Sequence, residues 1–292
     1  MNNAFFMAIG AGVANAGVAL AGKAAQHSRC RAVSYSFVVF AVAAITAFLA
    51  TLGGEAAWGD WRLWCFGGSM GAMYLVAIAA MLHANRCWAP SVVWSAANMA
   101  FVVPILLSAL VLDEKLRWVD ALIVAGVVFM LVGLIERNVS SSGSAIDDAL
   151  RRSAPKRWLL LGIVFASNGV LMLGYKLFAV VLPGQRTACL VTVIYGCGAA
   201  LAGAVLAGRG MLRVNRFEAG WGLAAGTASG LSALAVLMAM QLPAAVAFPV
   251  IQGTSLVGGV LLCAAFFRER LTLRKVAALV VGLGTMALTL LR

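Results

Sequence analysis

Ten stretches of about 20 predominantly apolar residues follow one another along this chain, most of them separated by short charged connections. A helix rises about 1.5 Å per residue, so each stretch matches the ~30 Å hydrocarbon thickness of a bilayer. The spans run over about 4–22, 34–52, 63–82, 89–111, 118–135, 158–181, 187–207, 219–240, 244–266 and 272–291. In lipid the backbone must satisfy its own N–H and C=O groups, and helices do this within one segment. Composition agrees. Only 11% of the residues are charged, against roughly 25% in soluble proteins, too few to build a wetted surface. The expectation is an all-α integral membrane protein with ten transmembrane helices. The first span has no charged side chain before Lys23, so it reads as a retained helix and not as a cleaved signal peptide.

The net charge of +12 does not point to nucleic acid. Nearly all basic residues lie in the connections, where they orient helices against the membrane. Connections 1–2, 3–4, 5–6, 7–8 and 9–10, with their helix ends, hold 16 of the 22 Lys and Arg residues. Positive-inside counting therefore puts both termini outside. No C-x-x-C pair occurs among the six cysteines, and there are only two histidines, His27 and His83. Buried thiols are expected, with no metal and no cofactor.

One connection is long. Residues 137–157 are polar and serine-rich, and they divide the chain nearly in half. Residues 1–136 then form a first five-helix repeat and 158–292 a second, joined by a linker. Three signals recur across it. Asn15 and Lys23 match Asn168 and Lys176 at an offset of 153; Gly67 and Gly71 match Gly222 and Gly226 at 155; Glu114 matches Glu269 at 155. Chance matches would scatter, so the halves read as repeats. Five crossings is an odd number, so the second half enters from the opposite side. The repeats are inverted, the architecture that suits alternating access.

These residues carry a resemblance. The chain resembles the ten-helix, EamA-type members of the drug/metabolite transporter superfamily over nearly its whole length. The likeness rests on the five-plus-five repeat and on an acid after the fourth helix of each half: L-V-L-D-E-K-L over Leu110–Leu116 and F-F-R-E-R-L over Phe266–Leu271. Glycines follow each, at Gly126 and Gly133 and at Gly282 and Gly284, and F-A-S-N over Phe165–Asn168 is similar to a family stretch. The resemblance implies a secondary transporter of small metabolites or drugs, often an exporter, with both termini in the cytoplasm, contrary to the charge count. It also implies a multi-pass protein of the cell membrane, the bacterial inner membrane being the expected one.

A polar side chain in hydrocarbon pairs with a neighbour or faces a cavity. By that rule the substrate-binding candidates are Asn15, Tyr74, Trp94, Asn98, Asn168, Lys176 and Gln252. The competing reading is helix-to-helix hydrogen bonding for the amides and snorkelling for the lysines. Pro249 removes a helical hydrogen bond and permits a kink beside Gln252. Gly67, Gly71, Gly222 and Gly226 are structural, letting backbones approach closely. Glu114 and Glu269 are structural too, capping or pairing at the boundary. No acid falls at mid-membrane, which favours facilitated diffusion or exchange over proton coupling. No catalytic residues are expected: an intramembrane enzyme would need a nucleophile and base at depth. The partners implied are a small-molecule substrate and the lipid bilayer, and the sequence leaves a homodimer open. Two alternatives stand beside transport of a small metabolite, a non-transporting scaffold or accessory subunit and a lipid-carrier flippase.

Overall fold

Apolar runs of this length leave the backbone little but helical pairing, and in the computed structural model all regular structure among the described residues is helical. The structure describes residues 2–28, 30–53, 58–88, 90–111, 117–134, 154–181, 187–211 and 213–268, with 273, 276, 277, 279–281, 283 and 284 beyond them. The helices are α1 (Asn2–His27), α2 (Ala32–Thr51), α3 (Trp61–Cys87), α4 (Pro90–Met99), α5 (Val102–Val111), α6 (Trp118–Leu134), α7 (Ala154–Val181), α8 (Thr187–Gly208), α9 (Arg216–Ala239) and α10 (Ala244–Phe267). Among the described residues seven of them are long and apolar enough to cross a membrane: α1, α2, α3, α7, α8, α9 and α10. Their outward side chains are apolar as well, with Ile45, Val180, Leu201 and Leu223 all exposed. The chain is a multi-pass helical membrane protein. Most of the linker and of the tenth span lies outside the described residues, as do Glu114 and Glu269.

The single span expected over 89–111 is divided. Helix α4 stops at Met99 and α5 restarts at Val102. Pro104 supplies the reason. It has no N–H to give to the turn before it, and its ring disfavours helical geometry at Val103. The gap is bridged by tight-turn bonds, Phe101 N–H to Asn98 O and Val103 N–H to Ala100 O. Hydropathy alone carries no mark of such a break, since both pieces are apolar.

Two compact units form, 1–75 with 174–270 and 76–173 with 271–292, so each takes residues from both halves of the sequence. The first contains α1, α2, α8, α9 and α10 with the start of α3 and the end of α7. Its packing rests on small residues. A Cβ on Gly226 would meet Val42 Cβ at 2.6 Å and Val39 O at 2.7 Å; one on Gly222 would meet Val38 Cγ1 at 2.6 Å. On the other side, a Cβ on Gly71 would meet Ile194 O at 2.6 Å and Cys197 Cβ at 2.9 Å; one on Gly67 would meet Val193 Cγ1 at 2.7 Å. The glycines repeat at an offset of 155, and so do the residues they touch: Val38 with Val193, Val39 with Ile194, Val42 with Cys197. Helix α9 thus runs parallel to α2, and α3 parallel to α8. Helices α2 and α8 run antiparallel, because Phe40 faces Gly198 while Phe37 faces Gly203.

Helix α1 lies between α9 and α10. It is antiparallel to α9, packing Gly17 near Ala228 and Ala21 in one cluster with Ala225. It is parallel to α10, with Gly12 against Thr254, Ala16 against Gly258 and Ala19 near Gly259. These directions bring the end of α1 and the starts of α2 and α9 to one end of the unit. Lys23, Arg31, Arg213, Arg216 and Arg268 gather there, the grouping the charge count requires. Aromatic side chains ring the same level: Trp221 meets Phe266 at 6.3 Å, and the Lys23 ammonium sits 5.0 Å from the Phe267 ring centre.

The second unit packs Ala80, Ala84, Val93, Ala97 and Val164 into one core. Trp88 closes it, donating its indole N–H to Arg157 O at 3.1 Å while the Arg157 guanidinium lies over its ring. Gly169 of α7 is pressed against Val103 of α5, a Cβ there meeting Val103 Cβ at 2.9 Å. Offset by 153 and 155, this contact corresponds to Ala16 on Gly258 in the first unit.

Candidate functional site

Three polar centres sit inside the first unit. The first joins α1 to α9. A serine hydroxyl in hydrocarbon seeks a backbone or amide oxygen, and Ser232 donates within reach of two, Asn15 Oδ1 at 2.9 Å and Ala11 O at 3.0 Å. Gln252 is buried on α10, which packs on the neighbouring face of α1. Ser232→Ala removes the α1–α9 hydrogen bond and should destabilise the protein by about 0.5–1.5 kcal/mol, the range for interhelical hydrogen bonds in membranes. Chemical denaturation in mixed micelles checks this, with Thr227→Ala as the control, since the Thr227 hydroxyl bonds only within its own helix.

The second centre is aromatic. Phe40, Tyr74 and Tyr195 form a triangle of rings with centres 5.2, 5.5 and 6.0 Å apart. Edge and tilted geometries place ring edges toward ring faces. The Tyr195 hydroxyl donates to Ser229 O at 3.3 Å and interacts with the hydroxyls of Tyr74 and Tyr175. Phe40 and Tyr195 correspond at the offset of 155, as do Tyr74 and Ser229. Two positions 155 residues apart, Phe40 and Tyr195, are thus in ring contact with each other.

The third centre is a buried charge. Lys176, near the end of α7, keeps only 4% of its surface exposed. Its ammonium donates to Leu242 O at 2.9 Å and Met240 O at 3.2 Å, in the turn between α9 and α10. Carbonyls at a helix C-terminus lack intrahelical donors and carry the negative end of the helix dipole. They are suited to hold an ammonium out of water.

The remaining candidates belong to the second unit. Asn98 is buried at the end of α4, one residue before the break. Asn168 donates its amide to Val164 O at 2.8 Å, and Ser167 before it bonds Ile163 O at 2.6 Å, so both bond back to the preceding turn of α7. The two matching asparagines thus differ: Asn15 is tied across helices and Asn168 along its own. Trp94 lies on α4, and its side chain is outside the described residues.

Sequence reasoning passed over Tyr175, Tyr195, Ser229 and Ser232. Extending the 155 offset to α2 and α8 would have singled out Tyr195 against Phe40. It also passed over Glu218. That carboxylate, 2% exposed in the first turn of α9, accepts from Arg31 Nε at 2.9 Å, Arg31 Nη2 at 3.1 Å, Arg31 N at 2.9 Å and Asn215 N at 2.8 Å. Arg31 Nη2 also donates to Arg213 O. The hydrogen bond to Glu218 pushes the Arg31 pKa above its ordinary value. Among the described residues no group of three or more His, Cys, Asp or Glu side chains gathers as a metal site would need.

No protein-family model and no curated protein matches the chain. A solved structure described only as "Crystal structure of protein" matches with a TM-score of 0.75 at 17% identity, over 99% of this chain and 97% of that one. At that identity the likeness is one of fold.

Proposed function

We propose that the chain is a secondary transporter of the cell membrane, moving a small metabolite or drug by alternating access between two inverted five-helix repeats. One observation carries this reading: the doubled glycine seam. Gly222 and Gly226 of α9 seat on Val38 and Val42 of α2, and Gly67 and Gly71 of α3 seat on Val193 and Cys197 of α8. One offset exchanges both sides of both contacts. Because α2 and α8 exchange with each other and run antiparallel, the relating two-fold axis lies across the helices, in the plane of a membrane. Halves related in that way can trade conformations, so that a site near the axis faces one side and then the other. In this reading Asn15, Tyr74, Trp94, Asn98, Asn168 and Gln252 offer donors, acceptors and ring faces, and Lys176 supplies positive charge. The resemblance to ten-helix EamA-type permeases points the same way.

A thermal-shift screen of the purified protein against amino acids, nucleotides, sugar phosphates and cationic drugs tests the reading. A ligand at 100 times its dissociation constant stabilises by about 2.7 kcal/mol. The expected result is a hit in one chemical class that drives counterflow in proteoliposomes and is weakened by Asn15→Ala and Gln252→Ala. A folded, reconstituted protein that binds nothing and moves nothing would favour the scaffold reading instead.

A further inference from the structure

We propose that the connection between α8 and α9, residues 209–217, is a docking surface for anionic phospholipid headgroups at the basic end of the first unit. The inference does not rest on transport.

The connection is held at three points. Helix α8 ends in a Schellman turn: Gly210 takes a φ of 63°, and the amides of Gly210 and Met211 donate to Ala207 O and Leu206 O. A left-handed residue there suits glycine, which has no Cβ to clash. On the far side Asn215 and Glu218 form the capping box that starts α9. Between them the Arg31 guanidinium, from the α1–α2 connection, donates to Arg213 O. The side chains carried on this frame alternate in kind. Arg209, Arg213 and Arg216 are exposed. So are the apolar Met211, Val214 and Phe217 that alternate with them. The Arg216 guanidinium lies 4.9 Å from the Phe217 ring centre.

No described carboxylate neutralises these arginines. Among the described residues the first unit holds two, Asp60 and Glu218. Asp60 stands before α3, at the opposite end. Glu218 is committed, since Arg31 Nε, Nη2 and N and Asn215 N all donate to it. Guanidinium forks match phosphate oxygens, and a soluble phosphate would meet them equally well. It would leave Met211, Val214 and Phe217 in water. A phospholipid answers both features, with phosphate for the arginines and acyl chain for the apolar side chains. The depth agrees. Trp221, one turn further along α9, meets Phe266 at the aromatic level of the interface. Positive-inside counting assigns this end to the cytoplasm, and the cytoplasmic leaflet is the one with the negative surface potential. The opposite end is built otherwise. There Trp61 and Trp64 are exposed, and the Asp60 carboxylate accepts from the Arg62 backbone N–H.

Native mass spectrometry of the full chain in detergent micelles, titrated with dioleoylphosphatidylglycerol or dioleoylphosphatidylcholine, tests this. The wild type should retain phosphatidylglycerol in preference to phosphatidylcholine, and raised salt should weaken that retention. An arginine near an anionic surface is worth about fivefold in affinity, so Arg213→Gln should bind phosphatidylglycerol about fivefold more weakly, and Arg209→Gln, Arg213→Gln and Arg216→Gln together about a hundredfold. Arg62→Gln, at the opposite end, should bind as the wild type does. Equal retention of the two lipids would overturn the proposal, as would wild-type retention of phosphatidylglycerol by the triple variant. Full displacement of the lipid by an equal concentration of inorganic phosphate would overturn it too, and would give the surface to a soluble anion. Should the triple variant not fold, Arg213→Gln carries the same test, since it leaves in place the backbone carbonyl that Arg31 grips.

Discussion

Gly226→Ala and Gly71→Ala should each destabilise the protein by about 2–4 kcal/mol, and by similar amounts. The ground is steric. Overpacking a filled interface costs roughly 1–3 kcal/mol and sometimes more, and here the new methyl would stand 2.6 Å from a backbone oxygen or a valine Cβ. Backbone oxygens cannot rotate away as a side chain can, so the helices themselves must separate. In a membrane that matters more than in water, because association rests on close packing and not on expelling water. Similar losses are expected because the two glycines occupy the same position in two equivalent contacts. Gly196 and Gly220 serve as controls. A Cβ on either meets nothing within 4 Å, and alanine is the better helix former by about 1 kcal/mol. Gly196→Ala and Gly220→Ala should be neutral or stabilising. Denaturation of the four variants side by side is decisive. A large loss at Gly226 with none at Gly71 would remove the equivalence on which the repeat reading rests.

Glu218→Ala is the second large effect, at about 3 kcal/mol. Its carboxylate satisfies two backbone N–H groups, Asn215 N and Arg31 N, as well as the Arg31 guanidinium. Leaving part-buried donors without acceptors costs at most about 1–3 kcal/mol, and loss of a helix cap about 0.5–2 kcal/mol. These overlap, since the Asn215 bond belongs to the capping box, so the sum is not taken at face value. Arg31→Ala should do less harm, because its side chain is 44% exposed and water screens the pair. The asymmetry between the two variants is the test. Equal losses would mean that the ion pair, and not the cap, holds the start of α9 to the α1–α2 connection. High salt should weaken the Arg31 contribution and leave the cap nearly untouched.

How much of this was legible before the structure depends on the range of the physics involved. Seven of the spans were legible because each apolar run is judged locally against a fixed bilayer thickness. The glycines were legible because spacing places them on one helix face. The break near Phe101 was within reach, since Pro104 announces it, but a run that is apolar throughout gives no change in pattern to mark where one helix stops. The bond between Arg31 and Glu218 joins residues 187 apart, and neither has a local signature beyond the Asn215–Glu218 spacing of a capping box. Lys176 illustrates the limit most clearly. Sequence depth says that its ammonium needs a partner; only the fold supplies the Met240 and Leu242 carbonyls, because they belong to a turn 64 and 66 residues away.

The contact between Phe40 and Tyr195 pairs two positions 155 residues apart. If each half were a separate gene product assembling in opposed copies, these two positions would be one residue meeting itself, and any change would strike both sides at once. A single chain carries no such restriction. Here one side carries a hydroxyl that reaches Ser229 O while the other carries a bare ring. The same freedom puts a carboxylate at Glu218 where the first half has Leu63. Within one chain the two sides of each such contact can differ, as a phenol against a bare ring and a carboxylate against a leucine do here.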